Sequence, residues 1–253
     1  STRKEGVYVW RQADFGRLDA HVEGDGLPLV ILGESGAGKS ALIAHWMMRN
    51  QERLKAQPQE EKKGFLSLIR SRLNLSRPPP KKAHVIAHFI GATEDSTDWA
   101  AMLRRLIGEF NRLFDLTVEI PDTPDALRKA FVDVLWEVDA RGRVILIIDA
   151  LNQLDDRDGA PDLVWLPPEI PTNVRLIVST LPGRSLSNLK ERNWPSFTIE
   201  PLAIDEKRDL INNYLRYYRK TLPADSVQKI AAVDATNNPL YLVALLKEMR
   251  LYG

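Results

Sequence analysis

An apolar segment of strand length, Leu27-Pro28-Leu29-Val30-Ile31-Leu32, runs into Gly33-Glu34-Ser35-Gly36-Ala37-Gly38-Lys39-Ser40 and on into Ala41-Leu42-Ile43-Ala44-His45-Trp46-Met47-Met48. Strand, Gly-rich turn, Lys-Ser and a stretch free of helix breakers, in that order, are what a phosphate-binding loop requires. Several backbone N–H groups must converge on phosphate oxygens, with the positive end of a helix behind them. Glycines without a Cβ let the backbone curl around an anion at close range. Lys39 then reaches the β- and γ-phosphates as a point charge, and the Ser40 hydroxyl, one residue on, is placed to ligate Mg²⁺. The candidate nucleotide-binding set is Gly33, Glu34, Ser35, Gly36, Ala37 and Gly38, with Lys39, Ser40 and Ala41 opening the helix. A purely structural turn is the alternative. With glycine at roughly 7% of residues, two at a fixed spacing arise at about one position in two hundred, and Lys-Ser behind them makes chance rarer.

The remaining composition narrows the class. At 253 residues the chain holds one large domain, or a medium one with a small appendage. A net charge of +1 argues against a globally basic nucleic-acid binder. The absence of cysteine excludes disulfides and thiolate metal sites, and it fits an intracellular, cytoplasmic protein. No run reaches the apolar length of a membrane span. The chain opens without Met and ends inside a helical pattern at Leu251-Tyr252-Gly253, as a piece of something longer would.

Along the chain, Tyr8-Val9-Trp10-Arg11 reads as a strand or arm, followed by Phe15, Leu18 and His21 at near-helical spacing until Gly24-Asp25-Gly26; residues 1–26 form an N-terminal arm and helix. Within 51–82, a polar run and Pro78-Pro79-Pro80-Lys81-Lys82 bracket Phe65, Leu66, Ile69 and Leu73 on one helical face, with Arg70, Arg72 and Arg77 elsewhere. This fits either a basic amphipathic helix for a membrane or acidic partner, or an insertion packed on its own domain. Ala83–Ile90 reads as a strand; His84 and His88 share a face, but without nearby Cys or acidic ligands they make a poor metal site. Trp99, Met102, Leu103, Leu106 and Phe110 stripe one helix, and Thr123-Pro124 caps and opens another through Phe131, Leu135 and Trp136.

Arg143-Val144-Ile145-Leu146-Ile147-Ile148-Asp149 is the second chemical landmark. A continuous β-branched run suits a strand buried on both faces of a parallel sheet, and ligands bind at the carboxyl ends of such strands. Asp149 is therefore the candidate to hold Mg²⁺ opposite Ser40, with capping of the next loop as the alternative. Arg175–Thr180 is a similar strand; Ser179 and Thr180 could touch a γ-phosphate or cap the Leu181-Pro182-Gly183 turn. A last strand spans 196–200. Strands alternating with helices imply a three-layer, mostly parallel α/β sheet over 27–202. From 203 to 253 the pattern is helix only, with Leu210, Ile211, Tyr214, Leu215 and Tyr218, then Val227 and Ile230, then a helix opened by Asn238-Pro239.

With these pieces assembled, the sequence resembles the STAND class of P-loop NTPases, and within it NACHT-like modules of the nephrocystin-3 and telomerase-associated-protein type. The resemblance is carried by Gly33 to Ser40, by Asp149-Ala150-Leu151-Asn152-Gln153-Leu154, by His88-Phe89-Ile90-Gly91 leading to Ser96-Thr97-Asp98, and by Asn238-Pro239-Leu240-Tyr241-Leu242. It implies a five-stranded sheet of order 5-1-4-3-2 and a C-terminal helical lid domain whose Pro239 touches adenine. It also implies that Val9, Arg11 and Leu202 lie near the base. Further, it implies an ATP/ADP-dependent switch with Mg²⁺: ADP holds a closed monomer, ATP favours self-association, and effector and sensor domains flank the module. Relatives commonly carry an acidic residue where Asn152 stands, and the wider class often has Glu at the place of Gln153. Many such modules also place an Arg at the position of Leu181, with Arg184 the nearest substitute here.

An amide orients an attacking water without taking its proton, so with Lys39, Asp149, Asn152, Gln153, Ser179 and Thr180 as the catalytic candidates the expected activity is slow hydrolysis. Asp155 or Asp156 could substitute as the proton acceptor. A P-loop kinase or ATPase of ordinary turnover, or a scaffold with permanently bound ADP, are the competing readings.

Overall fold

The run from Arg143 to Asp149 forms a strand buried at every position, β3 (Arg143–Asp149), because its neighbours cover both edges and helices cover both faces. The computed structural model describes residues 11–55 and 83–252. The arm segment at Tyr8, Val9 and Trp10 and all but the first few residues of the 51–82 insertion lie outside the described residues. The other strands are β1 (Leu29–Leu32), β2 (Ala83–Phe89), β4 (Val174–Ser179) and β5 (Ser196–Thr198). They make one five-stranded sheet in the order β2-β3-β4-β1-β5, the order expected, with every neighbouring pair parallel. Strand β5 is shorter than the expected 196–200, but Ile199 still donates its N–H to Leu32 O at 2.7 Å.

Period-two alternation divides the sheet's side chains between two cores. Ile145, Ile147, Ile31 and Ile177 face α1 (Gln12–Glu23) and α2 (Lys39–Lys55), packing with Phe15, Leu18, Leu42 and Trp46. Val144, Leu146, Ile148 and Leu176 face the other way, towards α3 (Trp99–Phe114) and α4 (Pro124–Arg141). The stripe Trp99, Met102, Leu103, Leu106 and Phe110 is buried there as expected. In α4, Phe131 and Leu135 point inward, whereas Trp136 is 51% exposed. At about 100° per residue, burying Leu135 rotates Trp136 off the stripe. Thr123 precedes α4 without a side-chain capping bond; Pro124 at the first turn does the work of starting the helix.

Two buried arginines fasten α1 beneath the sheet. Leaving a guanidinium unpaired in the interior costs several kcal/mol, and both are paired, although Arg143 Nε itself finds no partner among the described residues. Arg143 donates to Val22 O at 2.9 Å and Asp25 Oδ1 at 3.1 Å, and Arg175 donates through Nε to His21 O at 3.1 Å. At the other side of α1, Asp19 accepts from Trp46 Nε1 at 2.9 Å and Arg49 at 2.6 Å, tying α1 to α2.

A short α5 (Arg184–Glu191) that the periodicity did not announce lies between β4 and β5, and after β5 the chain is helical. The C-terminal helices are α6 (Ile204–Tyr217), α7 (Ala224–Ala231) and α8 (Pro239–Tyr252). They share their own cluster of Leu202, Leu210, Ile211, Tyr214, Leu215, Val227, Leu242 and Leu246. Tyr218 falls past the end of α6 and is 37% exposed.

Candidate nucleotide site

The carboxyl ends of β1, β3 and β4 converge on one cavity of about 420 Å³, and most of the sequence-predicted residues line it. At the end of β1 the loop turns through Gly36, with φ +76, a left-handed conformation that a side chain resists. Gly36 has a second constraint: a Cβ there would come within 2.6 Å of Asn238 Oδ1 and 2.9 Å of Leu240 Cβ. Ser35, Gly36, Ala37, Gly38, Lys39, Ser40 and Ala41 all line the cavity. Gly33 and Glu34 instead turn their carbonyls to Lys39, whose Nζ donates to them at 2.7 and 3.0 Å. Burial pushes the Lys39 pKa down, while the Asp149 charge pulls it back up.

Asp149 is 2% exposed at the end of β3. The register that sets Ile148 beside Val178 brings Ser179 next to it. Ser179 Oγ donates to Asp149 Oδ1 and accepts from Ala150 N at 2.9 Å. The hydroxyl thus orients the carboxylate and is committed to it, a role the sequence reading did not assign. Among the described residues nothing donates to Asp149 Oδ2. Asp149 and Ser40 line the same cavity, and a carboxylate and a hydroxyl are hard oxygen donors of the kind that fits Mg²⁺ beside a phosphate. Thr180 does not line the cavity; its hydroxyl donates to Leu181 O at 3.1 Å.

Beyond β3, Ala150 adopts φ +64 and opens a single 3₁₀ turn over Leu151–Gln153 that presents both amides. Asn152 Oδ1 accepts from Leu181 N at 3.2 Å. The Gln153 side chain lies against Gly91, where a Cβ would sit 1.8 Å from Gln153 Oε1 and where φ is +81. Gly91 follows β2, so two strand ends together place this amide at the cavity. Arg184 is elsewhere: it pairs with Asp156 at 2.7 Å and with Asp162, which together raise its pKa. Neither Arg184, Asp155 nor Asp156 lines the cavity.

The other end of the cavity is apolar, walled by Ile199, Leu202, Leu210, Pro239 and Val243. Arg11 spans it, donating to Glu206 at 3.0 Å, to Glu200 O at 2.5 Å and to Pro201 O at 3.2 Å. It pins the segment after β5 to the first turn of α6. Asp14, three residues on, lines the cavity as well; burial raises its pKa, with Arg11 and Arg17 opposing. Val9 lies outside the described residues. The start of α8 closes over the loop: Asn238 Nδ2 donates to Ser35 O at 2.7 Å and Leu240 N to Gly36 O at 3.3 Å. The same side chain caps its helix, Oδ1 accepting from Leu240 N at 3.0 Å.

Among the described residues no group of His, Cys, Asp and Glu could by itself hold a metal ion. His84 packs edge-on against Phe114, and His88 Nε2 lies 2.9 Å from Ser96 O. Asp14 and Gly91 were missed as contributors by residue-by-residue reading. Asp14 carries no motif, and Gly91 showed only in the run His88-Phe89-Ile90-Gly91 that carries the resemblance, with no contact to Gln153 expected of it.

Comparison with known proteins agrees with this geometry. The family described as AAA ATPase domain matches residues 9–178. A TPR repeat-containing protein of Dictyostelium discoideum is 26% identical over 263 residues, covering 88% of this chain and 14% of its own length. The NACHT and WD repeat domain-containing protein 2 of Mus musculus is 27% identical over 234 residues, covering 88% of this chain and 12% of its own length. The chain thus spans under a sixth of either relative. A STAND protein with a tetratricopeptide repeat sensor from Pyrococcus horikoshii superposes with a TM-score of 0.54 at 13% identity, over 96% of this chain and 32% of that one.

Proposed function

The chain belongs to the AAA ATPase domain family and is a STAND/NACHT-like P-loop NTPase, and from that premise we propose that it is an ATP/ADP-reading switch with slow Mg²⁺-dependent hydrolysis. In this reading it serves a larger, cytoplasmic signalling or defence protein and self-associates in the ATP state. Among the described residues no helix is long and apolar enough to cross a membrane.

The observation that carries the switch is the seat of α8 on the loop. Asn238 and Leu240 bond the carbonyls of Ser35 and Gly36, so the lid touches the same backbone whose N–H groups cradle phosphate. A ligand shifts an equilibrium only by its differential affinity for the two states. A γ-phosphate bears on this loop and on the turn at Asn152 and Gln153, whereas a diphosphate leaves that turn alone, which supplies the difference.

On the phosphate side, Lys39 exchanges the carbonyls of Gly33 and Glu34 for phosphate oxygens, and its lowered pKa reflects a dry site where charge pairing is strong. Ser40 and Asp149 are the residues that would hold Mg²⁺, which would supply offsetting charge to the phosphates. Ser179 keeps the Asp149 carboxylate oriented. Gln153, propped on Gly91, positions the attacking water but does not accept its proton. Among the described residues lining the cavity the sole arginine is Arg11, at the apolar end, so none of them supplies a guanidinium clamp to the γ-phosphate. Positioning without a base or an arginine supports slow turnover.

The test is the affinity of the chain for ADP and for a non-hydrolysable ATP analogue, with and without Pro239→Ala. The variant loosens ADP more than the ATP analogue if the lid reads the diphosphate state. Equal losses contradict the switch, and Lys39→Ala retaining full affinity for both contradicts nucleotide binding at this site.

A further inference from the structure

Among the described residues, two charged side chains stand on the wall at the apolar end of the cavity, and they are not equivalent. Arg11 is spent: Nε, Nη1 and Nη2 all donate, to Glu206 and to the carbonyls of Glu200 and Pro201. Asp14 is not. Its side chain is 10% exposed, and Oδ1 accepts from Arg17 at 3.2 Å. Arg17 is itself held over the Phe197 ring at 5.1 Å, which keeps that oxygen occupied. Oδ2 takes no hydrogen bond from any described residue. Burial raises the Asp14 pKa, the mark of a carboxylate withdrawn from water. A buried acceptor beside an apolar slot favours a ligand that carries a donor at its edge and is flat and apolar on its faces.

We propose that Asp14 determines base specificity, its Oδ2 accepting a hydrogen bond from the exocyclic amine of adenine while Ile199, Leu202 and Pro239 enclose the ring. The inference rests on the cavity being a nucleotide site. Because Arg17 already donates to Oδ1, Oδ2 is the oxygen that no described residue engages. One acceptor matches the one amine of adenine. Guanine presents two neighbouring donors, N1–H and the 2-amino group, which a carboxylate grips best with both oxygens, and its 6-oxo group would meet Asp14 as a repulsive acceptor. Asp14 also stands in the first turn of α1, where the helix dipole favours a carboxylate.

The experiment compares the affinity of the chain for ADP, for purine riboside 5′-diphosphate, which differs from ADP only in lacking the amine, and for GDP, all with Mg²⁺. The wild-type chain is expected to bind ADP about tenfold more tightly than the deamino analogue, the size of one hydrogen bond to a charged acceptor, and GDP more weakly than ADP. Asp14→Ala binds ADP and the deamino analogue alike, at the level the wild type shows for the analogue. Equal wild-type affinities for ADP and the deamino analogue overturn the proposal without any variant, as does an undiminished preference in a folded Asp14→Ala chain. If the wild type binds none of the three, the nucleotide reading itself fails, an outcome distinct from a loss of base discrimination.

Discussion

Gly91 and Gln153 show how one backbone position sets the side chain proposed to position the attacking water. A Cβ at Gly91 would overlap Gln153 Oε1 at 1.8 Å, and φ +81 disfavours any L side chain. Gly91→Ala is expected to cost roughly 1–3 kcal/mol of stability through strain and to displace the amide. Single-turnover hydrolysis should fall by an order of magnitude or more, while ADP affinity holds within about twofold, since no diphosphate contact is lost. A variant that hydrolyses ATP at the wild-type rate would show that Gln153 is not the water-positioning group. At this scale the sequence was legible where chemistry is local. Lys39 and Ser40 follow from their loop, and Asp149 from the end of a buried run. Ser179, Gly91 and Asp14 were not legible in these roles, because each acts through a residue distant in the chain. Ser179 meets Asp149 across a strand pair, and Arg184, close to the site in sequence, is drawn off by Asp156 and Asp162.

Among the elements, α1 is held by contacts that couple stability to pH. His21 sits in its last turn against Arg175, and burial together with that guanidinium lowers its pKa to about 3. The ordinary value is 6.5, so between the two the unfolded chain binds the proton and the folded chain does not. Stability is therefore complete above about pH 6.5 and is lost as pH falls towards 3. His88, lowered by burial in the face of its bond to Ser96, acts with the same sign. Urea midpoints measured from pH 7 down to pH 4 should decline, and His21→Gln should flatten the slope; parallel curves for the two chains would remove His21 as the cause. Element by element, β3 and the stripe of α3 were legible because burial on both faces, or on one helical face, imprints a strong pattern. Helix α5 and the outward turn of Trp136 were not. The first is eight residues long, and the second lies one residue from a true core position, where a wide apolar stripe blurs.

Across the whole molecule, the parallel sheet and the helical C-terminal region were legible from the alternation of strands and helices and its end, and the sheet order from the resemblance those motifs carried. What the sequence could not convey is how the two parts touch. Asn238 was read as a helix cap, and it is one, yet its Nδ2 also reaches Ser35 O, so that one side chain serves its own helix and the phosphate loop. The loop explains its half of the contact: Gly36 leaves the space that Asn238 and Leu240 fill. In the proposed switch, this seat is the link through which nucleotide state would reach α6, α7 and α8. Amide hydrogen exchange across 238–243, measured with ADP and then with a non-hydrolysable ATP analogue under Mg²⁺, tests that link most directly. The account predicts slower exchange at Leu240 and Tyr241 with ADP, as the lid stays seated, and faster exchange with the ATP analogue. Identical protection in the two states, with both nucleotides bound, would contradict it.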